Sequence, residues 1–296
     1  MGARDTRADM RPNLLVLAGS AFFAGVGVAL PHEAAVPARS TLHADSSEVV
    51  ASHPLPVPVS LRVAREVLRG VGIERTAGNA GTRAARVQTA LAALMGQVRE
   101  QSHPQALKMA FEAYYHFRAA HPDQVRKPYL YFVDYGLDSH TPRGYVFDMD
   151  ALRVVDGPFT VAHGRGSGGK DGVPTFFSNR HSSGTSSLGL FLAQEVYAFV
   201  GHDSGHPYRS IGMRLNGVSG LFNSAARSRG VVVHGAPYVT PLGAGRSLGC
   251  PAMEPDRAQR LIPQIANGGL VFLFSPNDED WIQNDPWIRD ADGGNG

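Results

Sequence analysis

Residues 231–253 read VVVHGAPYVTPLGAGRSLGCPAM. The run Val231-Val232-Val233 is β-branched and apolar, so it predicts a short buried strand that ends at His234 and is followed at once by Gly235. The connection that follows contains Pro237, Pro241, Gly243 and Gly245, which predicts a turning return and not a helix. The return delivers Cys250, the only cysteine of the 296-residue chain, 16 positions after His234, the last histidine. A strand end, a loop and a way back is therefore the unit around which the rest of the chain is read.

A free thiol has a pKa of about 8.5, so only a few per cent is thiolate near neutrality. A histidine within reach takes that proton and leaves a thiolate–imidazolium pair. Gly249 lets a substrate approach the backbone beside the thiol, and the amides around Gly249 and Cys250 are candidates for an oxyanion site. Residue types alone leave two readings open: a nucleophile with its base, or a small buried hydrophobe near a structural histidine.

Outward from the core stretch, the period of the chain is short. Residues 129–135, 144–150, 159–162, 188–199, 212–215 and 270–274 are β-rich runs separated by Gly, Pro, Asn and Asp. No helix of βαβ length alternates with them, so a mainly β domain is predicted, an antiparallel sandwich or barrel. One short helix is expected after the cysteine, at about 255–266, opened by Pro255 with Asp256 in its first turn and bent or shortened by Pro263.

An α-helical segment is predicted to precede this domain, over 58–127. Its first helix carries Leu61, Ala64, Val67 and Leu68 on one face, and its second, at about 82–100, carries Val87, Leu91, Leu94, Met95 and Val98. Its third opens near Pro104 and holds Leu107, Phe111, Tyr114, Tyr115 and Phe117, a stripe whose period marks it as core sooner than as a ligand groove. Further upstream, Arg4, Arg7 and Arg11 precede a charge-free run from Leu14 to Leu30 and the small-residue site Val36-Pro37-Ala38. Residues 1–38 therefore read as an export signal, or as an uncleaved membrane anchor over 14–30. Residues 39–57 read as a linker, and the acidic 277–296 as a loosely ordered tail. The formal net charge of +2 demands no nucleic-acid partner.

Three motifs fail on context. Gly164-Arg165-Gly166-Ser167-Gly168-Gly169-Lys170 approaches a phosphate loop, but Asp171 stands where Ser or Thr is needed and Pro174 follows in place of a helix, so no nucleotide is expected. Gly245-Arg246-Ser247-Leu248-Gly249 matches a serine nucleophile elbow, but no histidine follows the serine. His202 and His206 have zinc-helix spacing, but Gly205 and Pro207 oppose a helix, so no metal is expected.

HG, a loop and then S-x-G-C resembles the signature of the murein L,D-transpeptidases. The likeness is to the branch with GRS-x-GCPA, here Gly245 to Ala252, and it extends to YLYFVDYGLDS (129–139), FTVAHGRGSG (159–168), FFSNRHSSGTSSLGLF (176–191) and MRLNGV (213–218) in the same order. The resemblance covers about 128–276 and implies a catalytic domain there. It implies an exported enzyme of the periplasm or cell envelope, with no cofactor, acting on peptidoglycan stem peptides. Cys250 is then the nucleophile and His234 its base, with Ser247, Gly249 and Gly235 as orienting or oxyanion groups. Arg246, whose planar fork suits a carboxylate, and His163 are the candidate substrate-binding residues. Where many members carry His between Ser and Gly, this chain has Leu248, and His163 is the candidate to supply that role. Two readings compete with transpeptidation: L,D-carboxypeptidase or endopeptidase action at the same site, and a non-catalytic wall-binding module. Nothing in the sequence sets an oligomeric state.

Overall fold

A computed structural model describes residues 82–169 and 171–288. The signal or anchor reading of 1–38, the linker, the helix expected over Leu61–Leu68 and the end of the tail lie outside the described residues. Among the described residues no helix is long and apolar enough to cross a membrane.

The described chain opens with helix α1 (82–94), which closes in a 3-10 turn over Met95–Gln97, and helix α2 (Ala106–Ala120). The α2 stripe is core: Phe111, Tyr114 and Phe117 are fully or almost fully buried. Phe111 meets Phe147 edge-on at 5.6 Å.

Strands β1 (Tyr129–Asp134), β2 (Gly144–Asp148) and β3 (Arg153–Phe159) form one side of the main sheet. A two-residue strand β4 (His163–Gly164) follows. Then come the long hairpin β5 (Gly189–Asp203) and β6 (His206–Gly217), a one-turn helix α3 (Ala226–Arg229) and β7 (Val232–Gly235). The short pieces β8 (Val239–Thr240), β9 (Gly243–Ala244), β10 (Arg246–Ser247) and β11 (Ala252–Met253) make the return. Helix α4 (Pro255–Ile265), strand β12 (Leu270–Phe274) and helix α5 (Glu279–Asn284) complete the chain.

Eight strands join one sheet in the order β11-β7-β6-β5-β12-β1-β2-β3, and β10-β4 and β8-β9 form two small sheets. The domain is mainly β, as the short period predicts. Most neighbours are antiparallel; β1–β12, β11–β7 and β10–β4 are parallel. The fully buried β12 and β2, and β1 buried from Leu130 on, are continuous apolar runs because both of their faces are covered. Helix α4 lies near β6 and β7, and buries Ala258, Leu261, Ile262 and Ile265.

Two segments differ from the sequence reading. The strand expected at 159–162 lies upstream of that span: β3 runs from Arg153, ends at Phe159 and includes Pro158. A proline stops a central strand but not an edge strand, and β3 is an edge. The tail up to residue 288 is part of the body. Asp278 caps α5 by accepting from the Trp281 amide at 3.0 Å, and Trp281 is fully buried with its Nε1 donating to Asp285 at 2.9 Å. Trp287 donates from Nε1 to the Val218 carbonyl at 2.6 Å and packs edge-on against Phe117. The chain's two tryptophans outweigh the acidity, and the acids serve as cap and acceptor.

Candidate active site

The parallel pairing of β11 with β7 sets the site. Ala252 pairs with His234 and Met253 with Gly235, so Cys250, two residues earlier, falls level with Val232. The Val232 amide accordingly reaches the Cys250 sulfur. Cys250, His234, Ser247 and Arg246 all line one cleft of about 810 Å³.

His234 is nearly buried, stacked on Phe199 with ring centroids 4.2 Å apart and met edge-on by Tyr238. Its Nδ1 lies 3.1 Å from the Gly235 carbonyl. A carbonyl only accepts, so Nδ1 carries the proton and Nε2 is left with the free lone pair. The Tyr208 hydroxyl stands 3.5 Å from the same Nδ1. Gly235 thus orients the imidazole. A side chain at Gly235 would collide with Ser210 and Ala258, so the position is closed to anything larger.

Ser247 fixes the nucleophile turn. Its hydroxyl donates to the Cys250 carbonyl at 2.7 Å and accepts from the Gly249 amide at 3.0 Å. Gly249 has φ of +125°, and a Cβ there would strike the Thr185 carbonyl, so only glycine makes the turn. The Gly249 amide, a candidate oxyanion donor by sequence, is spent on Ser247. Behind the turn, Ser186 donates to the Gly249 carbonyl at 3.2 Å and accepts from the Gly164 amide at 3.0 Å.

Cys250 retains partial solvent access. The protein packed around its sulfur nevertheless pushes the thiol up, and the Val232 amide and the Arg229 guanidinium pull it back down in part. Burial pushes His234 down to about 4, against a smaller upward pull from the Gly235 carbonyl. Both shifts favour the neutral forms, a thiol and an imidazole, over the thiolate–imidazolium pair that residue types suggest.

His163 does not join the cleft. It is fully buried and pairs in register with Arg246 through β4–β10. Arg143, itself fully buried, donates from Nη2 to His163 Nδ1 at 2.9 Å, and its other donors go to the carbonyls of Val161 and Leu137. Burial, and then the charges of Arg143 and Arg246, hold His163 down at about 3. As placed, it braces the strand beneath the turn and is not positioned to replace the histidine that Leu248 displaces.

Arg229 escapes the sequence reading. From α3 its fork donates to the carbonyls of Ser178 at 2.7 Å and Thr185 at 2.9 Å, and to the hydroxyls of Ser183 and Ser187. It clamps the serine-rich arm against the nucleophile turn with its charge facing Cys250. The clue is the serine run 182–187, an acceptor-rich loop with no cation of its own. His202 and His206 sit in the exposed end of the β5–β6 hairpin, on either side of the turn at Ser204 and Gly205.

The sequence from 98 to 274, more than half of the chain, matches the family described as L,D-transpeptidase catalytic domain. This chain belongs to that family. Solved structures with partial likeness include an L,D-transpeptidase from Mycobacterium smegmatis, at 17% identity over 50% of this chain and 58% of that one, with a TM-score of 0.31. One from Mycobacterium tuberculosis shares 17% identity over 50% of this chain and 57% of that one, at a TM-score of 0.29. One from Stackebrandtia nassauensis shares 13% over 58% of this chain and 69% of that one, at 0.31. The chain spans less than two thirds of the two mycobacterial chains. The family match over 98–274, and not these partial overlaps, decides the assignment. A comparison with curated proteins finds none that matches.

Proposed function

We propose that this member of the L,D-transpeptidase family forms peptidoglycan cross-links through a thioester on Cys250. The observation that carries the reading is that His234 shares a cleft with the chain's only thiol and has its Nδ1 tied to the Gly235 carbonyl. Its Nε2 is thereby reserved as the base.

His234 Nε2 takes the Sγ proton as the sulfur adds to a stem-peptide carbonyl next to the diamino-acid residue. With Gly249 engaged by Ser247, the Cys250 amide is the turn's remaining donor for the oxyanion. The imidazolium then returns its proton to the departing amine of the terminal D-amino acid, leaving a thioester. The amine of a second stem adds to that thioester, gives its proton to Nε2, and the thiol is regenerated. Arg246 takes a substrate carboxylate. Residues of this chain perform every step. The turn Gly245–Ala252 supports membership of the GRS-x-GCPA branch, and the leader reading of 1–38 supports export to the cell envelope.

The test is incubation of the protein with a purified disaccharide-tetrapeptide, read by mass spectrometry. Transpeptidation gives a dimer lighter by one terminal amino acid, and Cys250→Ala gives none. Shortened monomer alone would move the assignment to hydrolysis. Turnover by Cys250→Ala would sink the mechanism.

A further inference from the structure

Six arginines of this fold face carboxylates; among the described residues others outside the cleft, Arg143, Arg180 and Arg209 among them, do not. Arg118 pairs with Asp150, Arg153 with Asp148, Arg214 and Arg227 with Glu195, and Arg257 and Arg260 with Asp156, and none of these six lines the active-site cleft. Three others do: Arg165, Arg229 and Arg246. Among the described residues none of the three has a carboxylate partner, and no Asp or Glu lines the cleft at all.

The three are not equivalent. Arg229 has its donors filled by the neutral acceptors of the serine-rich arm. Arg246 is half-buried; its only side-chain partner is the Ser139 hydroxyl at 3.0 Å, and the same Nη1 makes long contacts to the carbonyls of Ala244 and Gly245. Most of its fork is unspent. Arg165 is exposed, next to β4, the strand that pairs with the Arg246 strand. Arg246, half-buried and without a carboxylate, is costly to leave unpaired unless a ligand supplies the anion, and Arg165 adds an exposed positive charge to the same cleft.

We infer that the cleft selects donor peptides whose side groups are free carboxylates over the same peptides with primary amides, with Arg246 and Arg165 as the carboxylate receptors. This rests on the stem-peptide reading above and narrows its substrate class. A carboxylate accepts two parallel N–H bonds from a guanidinium and neutralises it. A primary amide offers one acceptor oxygen and turns an N–H₂ donor toward the cation. The cleft holds no acid to receive that donor.

The experiment separates recognition from catalysis by using the full chain carrying Cys250→Ala. Two tetrapeptides, identical except for carboxylate or primary amide at the diamino acid, are titrated by calorimetry at low salt and at 0.5 M salt. The expected result is at least tenfold tighter binding of the carboxylate form, a ratio that shrinks with salt and falls below threefold in Arg246→Gln and in Arg165→Gln. Arg246→Glu should reverse the preference. Equal affinities in the Cys250→Ala protein, no binding of either peptide at millimolar concentration, or a ratio that survives both Gln substitutions would overturn the inference. Failure of the catalytic reading shows separately, as a wild-type protein that binds the carboxylate peptide with this preference and acquires no adduct mass on Cys250.

Discussion

Two histidines in this molecule stand in the same local setting. His163 and His234 each end or sit in a short strand, each is followed by glycine, and each is buried. Burial holds both well below the ordinary imidazole range, near 3 and near 4. They part on the third partner. His234 gives its Nδ1 proton to a carbonyl, keeps Nε2 unprotonated and lines the cleft that holds the thiol, whereas His163 accepts at Nδ1 from a buried guanidinium. The first is the base in the proposed mechanism, and the second is the acceptor that makes a buried arginine tolerable. The dipeptide is the same, and the neighbour across the fold sets the chemistry.

Substitutions at the two positions should separate along those lines. The largest effect belongs to His234→Ala, where acylation of Cys250 should fall by about 10²–10⁴-fold, the worth of a positioned base. Its melting temperature should fall as well, because the buried ring packs on Phe199 and Tyr238, so acylation is read per folded molecule. Intact-mass kinetics with a tetrapeptide donor would check this, and near wild-type rates would refute the base assignment.

On the other side of the comparison, Arg143→Met should cost about 3–5 kcal/mol, since it strands two carbonyls and an imidazole in the core. His163→Ala should cost about 1–3 kcal/mol, by leaving one guanidinium donor unpaired. Both should show as denaturant midpoints moved at constant slope, with acylation per folded molecule retained. Equal loss of specific activity and stability in His163→Ala would mean that the histidine also acts in the cleft.

A smaller effect is expected at Arg229. Arg229→Gln removes a cation that lowers the Cys250 thiol, so the midpoint of iodoacetamide alkylation should move to higher pH. At a fixed pH below that midpoint, alkylation should slow by roughly two- to tenfold, following the smaller thiolate fraction. Arg229→Lys should recover part of the pH midpoint, because it keeps the charge, even where the clamp on the serine arm is weakened. An unmoved midpoint in Arg229→Gln would make the residue a clamp only.

The most modest prediction concerns acid. Both histidines are neutral in the fold and take protons only near 4 and 3, while the unfolded chain takes them near 6.5. The unfolded state therefore binds more protons as pH falls below 6.5, so this stability is intact above 6.5 and is lost on the way down through 4. The acylation profile should carry its acid limb near pH 4. His163→Ala should flatten the acid loss of stability and leave the acid limb of the rate in place, whereas an acid limb near 6.5 would contradict the buried base.

Much is legible along the chain. The short β period, the α2 stripe and the Pro255-opened helix follow from local pattern, because burial imposes its period on sequence directly. That Cys250 and His234 line one cleft follows from the strand-end histidine and the glycine-rich return, while residue types leave their use open. Arg229 is not legible, because its meaning lies in acceptors some 40–50 positions upstream. The tail misleads because net charge hides two tryptophans whose burial decides its order.

By itself the sequence determined which chemistry was available: one thiol, a strand-end histidine, and the glycine and serine a tight turn requires. The tertiary structure alone decided how it is used. Parallel pairing of β11 with β7 sets Cys250 level with Val232. The Arg143 fork takes His163 out of play. The unpaired guanidiniums of the cleft are conspicuous only once the carboxylates are seen to lie elsewhere. Protonation and charge pairing depend on what is near in space, and the order of residues along a chain does not encode that distance.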